Sequence, residues 1–145
     1  MASTLQGRRA SAAGEAWGLL RRLLMSERRR FLAAASELDL HPAQAGALLQ
    51  MQPDRPLPMH QLASILACDN SNVTGIVDRL EARGLVARKP YAQDRRVKHI
   101  VLTPLGAELR AGMESRMADG SADLGRLSAA EQRQLRDLLR KAVGA

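Results

Sequence analysis

Residues 68–85 read CDNSNVTGIVDRLEARGL, and this stretch decides the fold. Its apolar residues recur at the i, i+3, i+4 and i+7 spacing of a single helix face: Val73, Ile76, Val77 and Leu80. This period predicts an amphipathic α-helix. Asp69 is a residue type that caps the start of a helix, and Gly84 is a type found just past the end of one.

The opposite face of this helix is unusual because it carries small polar residues and a glycine: Asn70, Ser71, Asn72, Thr74 and Gly75. A glycine inside a helix costs about 1 kcal/mol relative to alanine. Small polar side chains near the start of a helix can reach DNA base edges, where asparagine pairs with adenine. The face is therefore predicted to read bases, the alternative being a solvated helix with a flexible patch.

The flanking segments predict the rest of the architecture. Periodicity and caps predict helices over 10–38, 42–51, 59–67, 104–118 and 128–143. His41 is a possible cap of the second one, with Pro42 at its first position. The third helix is predicted to turn Leu62, Ile65 and Leu66 inward. Three prolines make 52–58 a predicted loop, and two β-prone runs, 85–90 and 97–102, predict a hairpin. The order is that of a winged helix-turn-helix, so the fold class is mainly α with a small β-hairpin wing.

The tip of the hairpin carries Asp94, Arg95 and Arg96. Two guanidinium groups on a projecting loop suit phosphate contact or insertion into a narrow minor groove. An unpaired carboxylate would be a poor neighbour for DNA. Asp94 is therefore predicted to hold one of the arginines, or the hairpin itself, in place. The alternative is a solvated surface loop.

Composition agrees with a nucleic-acid partner. The 145 residues include 22 Lys+Arg and 15 Asp+Glu, a formal net charge of +7. This favours nucleic acid first and an anionic membrane surface second, with solubility alone as the alternative. One Trp, one Tyr and one Phe argue against single-strand binding by base stacking. No apolar run approaches the ~18 residues of a membrane span, and no secretory signal is recognisable. A cytoplasmic protein without enzymatic motifs, cofactor or metal is expected.

The ends of the chain predict a homodimer. Residues 1–9 are expected to be a disordered tail, and 39–103 the DNA-binding domain. The segments 10–38 and 104–145 carry leucine stripes that a chain with so few aromatic residues has little core to cover. A two-fold dimer would cover them and supply two half-sites about one helical turn apart.

From Leu38 to Gly106 the chain resembles the MarR family of bacterial transcriptional regulators. The motifs that carry the resemblance are LDLHPAQ, then QLASILACDNSNVTGIVDRLEARGLVAR, then DRR and LTPLG. The resemblance implies an interdigitated homodimer on a pseudo-palindromic operator, released in many members by a small aromatic or phenolic ligand. It makes Arg96 the wing-tip arginine, with Asp94 as its partner. It also implies contacts to the DNA backbone by Gln61, Ser64, Arg79, Arg88, Lys89 and Arg95.

The family's usual effector pocket lies near the end of the first helix. The residues here that would border or line it are Trp17, Met25, Phe31, His41 and Met51, with core packing as the alternative for most of them. Cys68 could make the protein a redox-responsive regulator, but no second cysteine exists to resolve its oxidised form, so a buried structural thiol is expected. Two more functions stay open: a DNA-binding regulator or architectural protein without ligand control, and a winged-helix protein that binds a protein partner.

Overall fold

The predicted central helix runs from Asn70 to Ala82 and packs against the two preceding helices and a small sheet. The computed structural model of the chain describes residues 11–118 and 123–145, so the predicted tail lies outside it. The elements follow in this order: α1 (Ala12–Glu37), α2 (Pro42–Gln50), β1 (Leu57–Pro58), α3 (Met59–Ile65), α4 (Asn70–Ala82), β2 (Val86–Pro90), β3 (Lys98–Leu102), α5 (Pro104–Ala118), a 3-10 turn (Leu124–Arg126) and α6 (Ala129–Val143).

The predicted helix boundaries are set by local caps. His41 precedes α2, and its Nδ1 accepts the Ala43 N–H at 3.3 Å. Gly84 follows the end of α4 with a φ of 68°, in the left-handed region that glycine adopts without strain. Ser128 and Glu131 form the reciprocal capping box that opens α6. These ends are therefore encoded in single residues.

The sheet is larger than predicted. The hairpin of β2 and β3 is confirmed, with Val86 opposite Leu102 and Pro90 opposite Lys98. The loop prediction for 52–58 is wrong at its end, because β1 pairs with β3 and completes a sheet of order β1-β3-β2. Prolines exclude a helix but are tolerated in an edge strand.

Aliphatic side chains from α1 to α5 and from the sheet form the core. Its largest fully buried members are Leu48, Met51, Leu62, Leu80, Leu85, Ile100, Met113, Val73, Val77 and Val86. Gly106 brings the first turn of α5 against the Leu85 backbone, since a Cβ there would lie 1.9 Å from the Leu85 carbonyl oxygen. The start of α5 is thus fixed against the segment that leads into the wing.

Two parts of the chain lie outside this core. The periodicity of α3 predicts an inward Ile65, and this is wrong, since 50% of its surface is exposed while Ala63 takes the buried position beside Leu62. α6 has no buried residue at all. Its leucine stripe is present as predicted, and within the described residues it makes no extensive contact with another helix or strand.

Candidate nucleic-acid interface

The first turn of α4 is held by its cap. Asp69 Oδ1 accepts the Asn72 N–H at 2.8 Å and the Ser71 hydroxyl at 2.7 Å. The bond from the Asn72 backbone, and then that from the Ser71 hydroxyl, lower the pKa of Asp69. Ser71 therefore donates its proton within the protein and retains acceptor capacity toward a partner.

The outward face of α4 is exposed to solvent. Val73, Val77 and Leu80 are buried on the inner side, while Ser71, Asn72, Thr74 and Arg79 are exposed on the outer side. Asn70 begins the helix as predicted. A Cβ added to Gly75 would meet nothing within 4 Å, so no close packing inside the chain requires a glycine there. The absence of a side chain at Gly75 leaves space for a binding partner to approach the helix backbone.

The wing tip is ordered through its backbone. Asp94 Oδ1 accepts the Arg96 N–H at 3.0 Å, and the Asp94 carbonyl accepts the Val97 N–H at 3.0 Å. Of the two roles predicted for Asp94, the geometry matches that of holding the hairpin. It partners Arg96 through the main chain, which leaves the exposed guanidinium of Arg96 available.

The guanidinium of Arg88 is paired within the protein. Its guanidinium binds the carboxylates of Asp78 and Glu81 on α4, and its own N–H donates to Glu81 at 3.2 Å. The bond to Asp78, followed by that to Glu81, raises the pKa of Arg88 against the opposing effect of burial. Both ends of the guanidinium are occupied, so we assign Arg88 to holding β2 against α4. Lys89, its neighbour on the wing, is exposed.

Helix α3, which precedes the recognition helix α4, presents Gln61 and Ser64 to solvent, as predicted, together with Ile65. Cys68 lies in the turn that follows, where its N–H donates to the Ala63 carbonyl at 3.2 Å. The Cys68 side chain is half-buried against the core rather than fully buried.

Two side chains that the sequence did not single out border this surface. His60 and Lys98 line a cleft of about 310 Å³ together with Thr74 and Arg96. The cleft exists because β1 pairs with β3, and a two-residue strand of leucine and proline carries almost no sequence signal.

The five candidate effector-pocket residues have different surroundings in one chain. Met51 is 1% exposed in the core and Phe31 packs against that core, whereas Trp17 and Met25 are 57% and 56% exposed. His41 is used as the cap of α2. A groove of about 1160 Å³ runs along α1 beside residues 123–126, and of the five only Met25 lines it.

Within 11–118 and 123–145, no group of three or more His, Cys, Asp or Glu side chains has the arrangement of a metal site. None of the helices in those ranges combines the length and apolar character that crossing a bilayer requires.

An exposed polar helix start and a cationic wing tip thus border one cleft on one side of a helix-turn-helix. This arrangement defines a winged helix-turn-helix DNA-binding protein.

Comparison with known proteins gives the family. The MarR family profile matches residues 40–98. Over 126 residues, 86% of this chain and 80% of the relative, the sequence is 31% identical to the HTH-type transcriptional repressor NicR of Pseudomonas putida. The chain belongs to the MarR family and is a DNA-binding transcriptional regulator.

Two solved structures are similar over most of the chain. Apo MarR from E. coli is 27% identical with a TM-score of 0.72, covering 86% of this chain and 93% of that one. The S. aureus MepR–DNA complex is 25% identical with a TM-score of 0.69, covering 87% and 94%.

Proposed function

We propose that the protein is a homodimeric transcriptional repressor that binds a pseudo-palindromic operator and leaves it when a small aromatic or phenolic effector binds. The observation that carries the DNA part is the outward face of α4, whose small polar side chains lie beside a glycine with open space around it. NicR, the similar protein from P. putida, is named a repressor.

Each group of residues has its own part in this proposal. Asn72 and Thr74 read base edges together with Asn70 and Ser71, and Gly75 permits the close approach. Arg95 and Arg96 enter the minor groove or contact its phosphates from the wing tip. The remaining contacts to the DNA backbone come from Gln61, Ser64, Arg79 and Lys89.

The dimer is supported by apolar surface that one chain leaves uncovered. On α6, Leu138 and Val143 are 58% and 76% exposed, and on α1 Trp17 and Leu24 are each 57% exposed. Large apolar residues gathered on two helices mark a surface for association. A two-fold axis through these helices presents two copies of α4 to successive major grooves.

The proposal of a small-molecule effector is supported by the resemblance to the MarR family and by the groove along α1. Leu19, Leu23, Leu24 and Met25 give this groove apolar lining, and its charged lining consists of four arginines and one carboxylate: Arg21, Arg22, Arg29, Arg126 and Asp123. Such a lining suits a ring that carries an acidic or phenolic group.

The test is fluorescence anisotropy of the purified protein on DNA from upstream of its own gene and on a scrambled duplex, across a salt series. A preference of roughly a thousandfold, with two chains per site, is expected. Asn72→Ala should relax the preference at one base position by about 1–3 kcal/mol, while Gln50→Ala, at an exposed position of α2, should not. Equal and steeply salt-dependent binding to both duplexes contradicts the operator proposal.

The effector is tested on the same complex. Phenolic and aromatic carboxylic compounds are added to the dimer on its operator, and peroxide is added to a parallel sample. Release by a phenolic compound supports ligand control. Release by peroxide that Cys68→Ser abolishes would replace it with redox control. Stable binding throughout would leave a regulator without ligand control.

A further inference from the structure

We propose that the cleft between α3, α4 and the wing binds one DNA backbone phosphate and its deoxyribose. This inference rests on the proposed DNA binding and specifies where the backbone is held. The residues that line the cleft are Met59, His60, Val73, Thr74, Arg96, Val97 and Lys98.

The third strand creates the cleft. Pro58 of β1 lies opposite His99 of β3, so Met59, which follows Pro58, begins α3 beside the base of the wing. Val73 and Thr74 of α4 close the other side. The recognition helix, the helix before it and the wing therefore meet at one point, where a bound group would contact all three.

The charge of the cleft is unbalanced. Among the described residues no acidic side chain lines it, whereas Arg96 and Lys98 do, together with His60 from the first turn of α3. Within the described ranges, the side chains of these three residues make no hydrogen bond or ion pair. Arg88 on the same wing shows the contrast, since Asp78 and Glu81 already neutralise it. Uncompensated cations that converge on a cleft favour an anion.

The walls of the cleft indicate which anion. Met59 and Val97 supply apolar surface, which a bare inorganic ion does not use but the carbon face of a deoxyribose does. The volume of about 310 Å³ is roughly ten times the ~30 Å³ that one water occupies in the liquid. A phosphate with its attached sugar fits this combination of size, charge and apolar wall.

The first test is the salt dependence of binding. Lys98→Met, which keeps an apolar stem, should weaken binding and reduce the slope of log K against log salt by about one. Lys141→Met, which removes an exposed lysine of α6, is the matched control and should leave the slope unchanged. Because phosphate contacts do not depend on sequence, this comparison works on the scrambled duplex as well as on the operator. A Lys98→Met slope equal to that of wild type would overturn the proposal.

The second test locates the phosphate. Neutral methylphosphonate linkages are placed one at a time across the wild-type footprint. At one linkage the cost of Lys98→Met should vanish, and the cost of His60→Ala should vanish at the same linkage. If each substitution lowers the affinity equally at every linkage, the effect of charge is diffuse and the proposed phosphate site is overturned. A wild-type preference for the operator would still support the proposed regulator. Loss of that preference with the Lys98→Met slope change intact would overturn only the operator proposal.

Discussion

Arg83, which follows the last residue of the recognition helix, donates from its guanidinium to the backbone carbonyl of Asp39, in the turn between α1 and α2. Nearby, Arg116 of α5 binds Glu37, the last residue of α1, at 2.8 Å. The C-terminal end of α1 and the turn after it therefore contact both the end of the recognition helix α4 and helix α5 of the C-terminal segment.

Arg83→Met should remove the contact to Asp39 and keep the aliphatic stem. One hydrogen bond is lost, so the free energy of unfolding should fall by about 1 kcal/mol. The affinity for DNA should fall without a change in salt slope, because Arg83 is occupied inside the protein. Arg79→Met is the control and should reduce the slope by about one. A reduced slope for Arg83→Met would identify Arg83 as a phosphate contact instead.

Gly106→Ala should be among the most destabilising single-methyl changes in the chain. The added Cβ would lie 1.9 Å from the Leu85 carbonyl oxygen, so backbone must move. We expect a loss of about 3 kcal/mol in urea unfolding. At Gly112, in the same helix, the nearest atoms to an added Cβ lie at 3.5 Å. Gly112→Ala should therefore be neutral or stabilising by up to about 1 kcal/mol, and equal losses at both positions would refute the close-approach argument.

Gly75→Ala should separate stability from DNA binding. Because nothing lies within 4 Å of the added methyl, the variant should gain about 1 kcal/mol of stability from helix propensity. Its affinity for DNA should fall, because the methyl enters the contact surface. Gly46→Ala in α2, where the space is also open, should gain stability alone. Unchanged DNA affinity in Gly75→Ala would place this residue away from the DNA.

Asp69→Asn should show how much the negative charge of the Asp69 cap stabilises the protein, and how this stabilisation is lost at low pH. The folded-state pKa of Asp69 is lowered by its bonds from Asn72 and Ser71, so its stabilising effect is complete above the unfolded-state pKa of about 4 and is lost as pH falls through the lower folded value. Asparagine still caps the helix. The Tm of wild type should exceed that of the variant at pH 7, and the gap should close below about pH 4. A gap independent of pH would mean that the carboxylate charge plays no part.

Leu139→Glu should break the dimer. Leu139 is 40% exposed in one chain, on the apolar face that is proposed to meet the partner. A charge buried there without a partner is strongly unfavourable. Sedimentation velocity should show monomers, whereas Arg133→Glu, off the leucine stripe, should stay dimeric. A dimeric Leu139→Glu would move the interface elsewhere.

Local signals predict the recognition helix well because its period, its cap at Asp69 and its terminating Gly84 are all contained in one short stretch. Local signals fail where an element depends on a pairing partner that is distant in sequence. β1 exists only because Leu57 pairs with Ile100, and two residues carry no period.

The functional side chains divide in the same way. Exposure of Asn72, Thr74 and Arg96 follows from the side of each element on which they lie. The ion pairs of Arg88 could not be predicted from local sequence, because its partners Asp78 and Glu81 belong to another element. The cleft lined by His60 and Lys98 escapes prediction for the same reason, since the β1 pairing brings those residues together.

Because β1 pairs with β3, β3 has a partner strand on both sides at His99 and Ile100, and the hairpin is supported by a third strand in addition to the bonds of its tip. An isolated two-stranded ribbon would be marginal in water. Residues 91–96 can therefore be exchanged for loops of other length and sequence while the supporting sheet stays in register. We expect a library varied only in that segment to change DNA binding while the scaffold is retained.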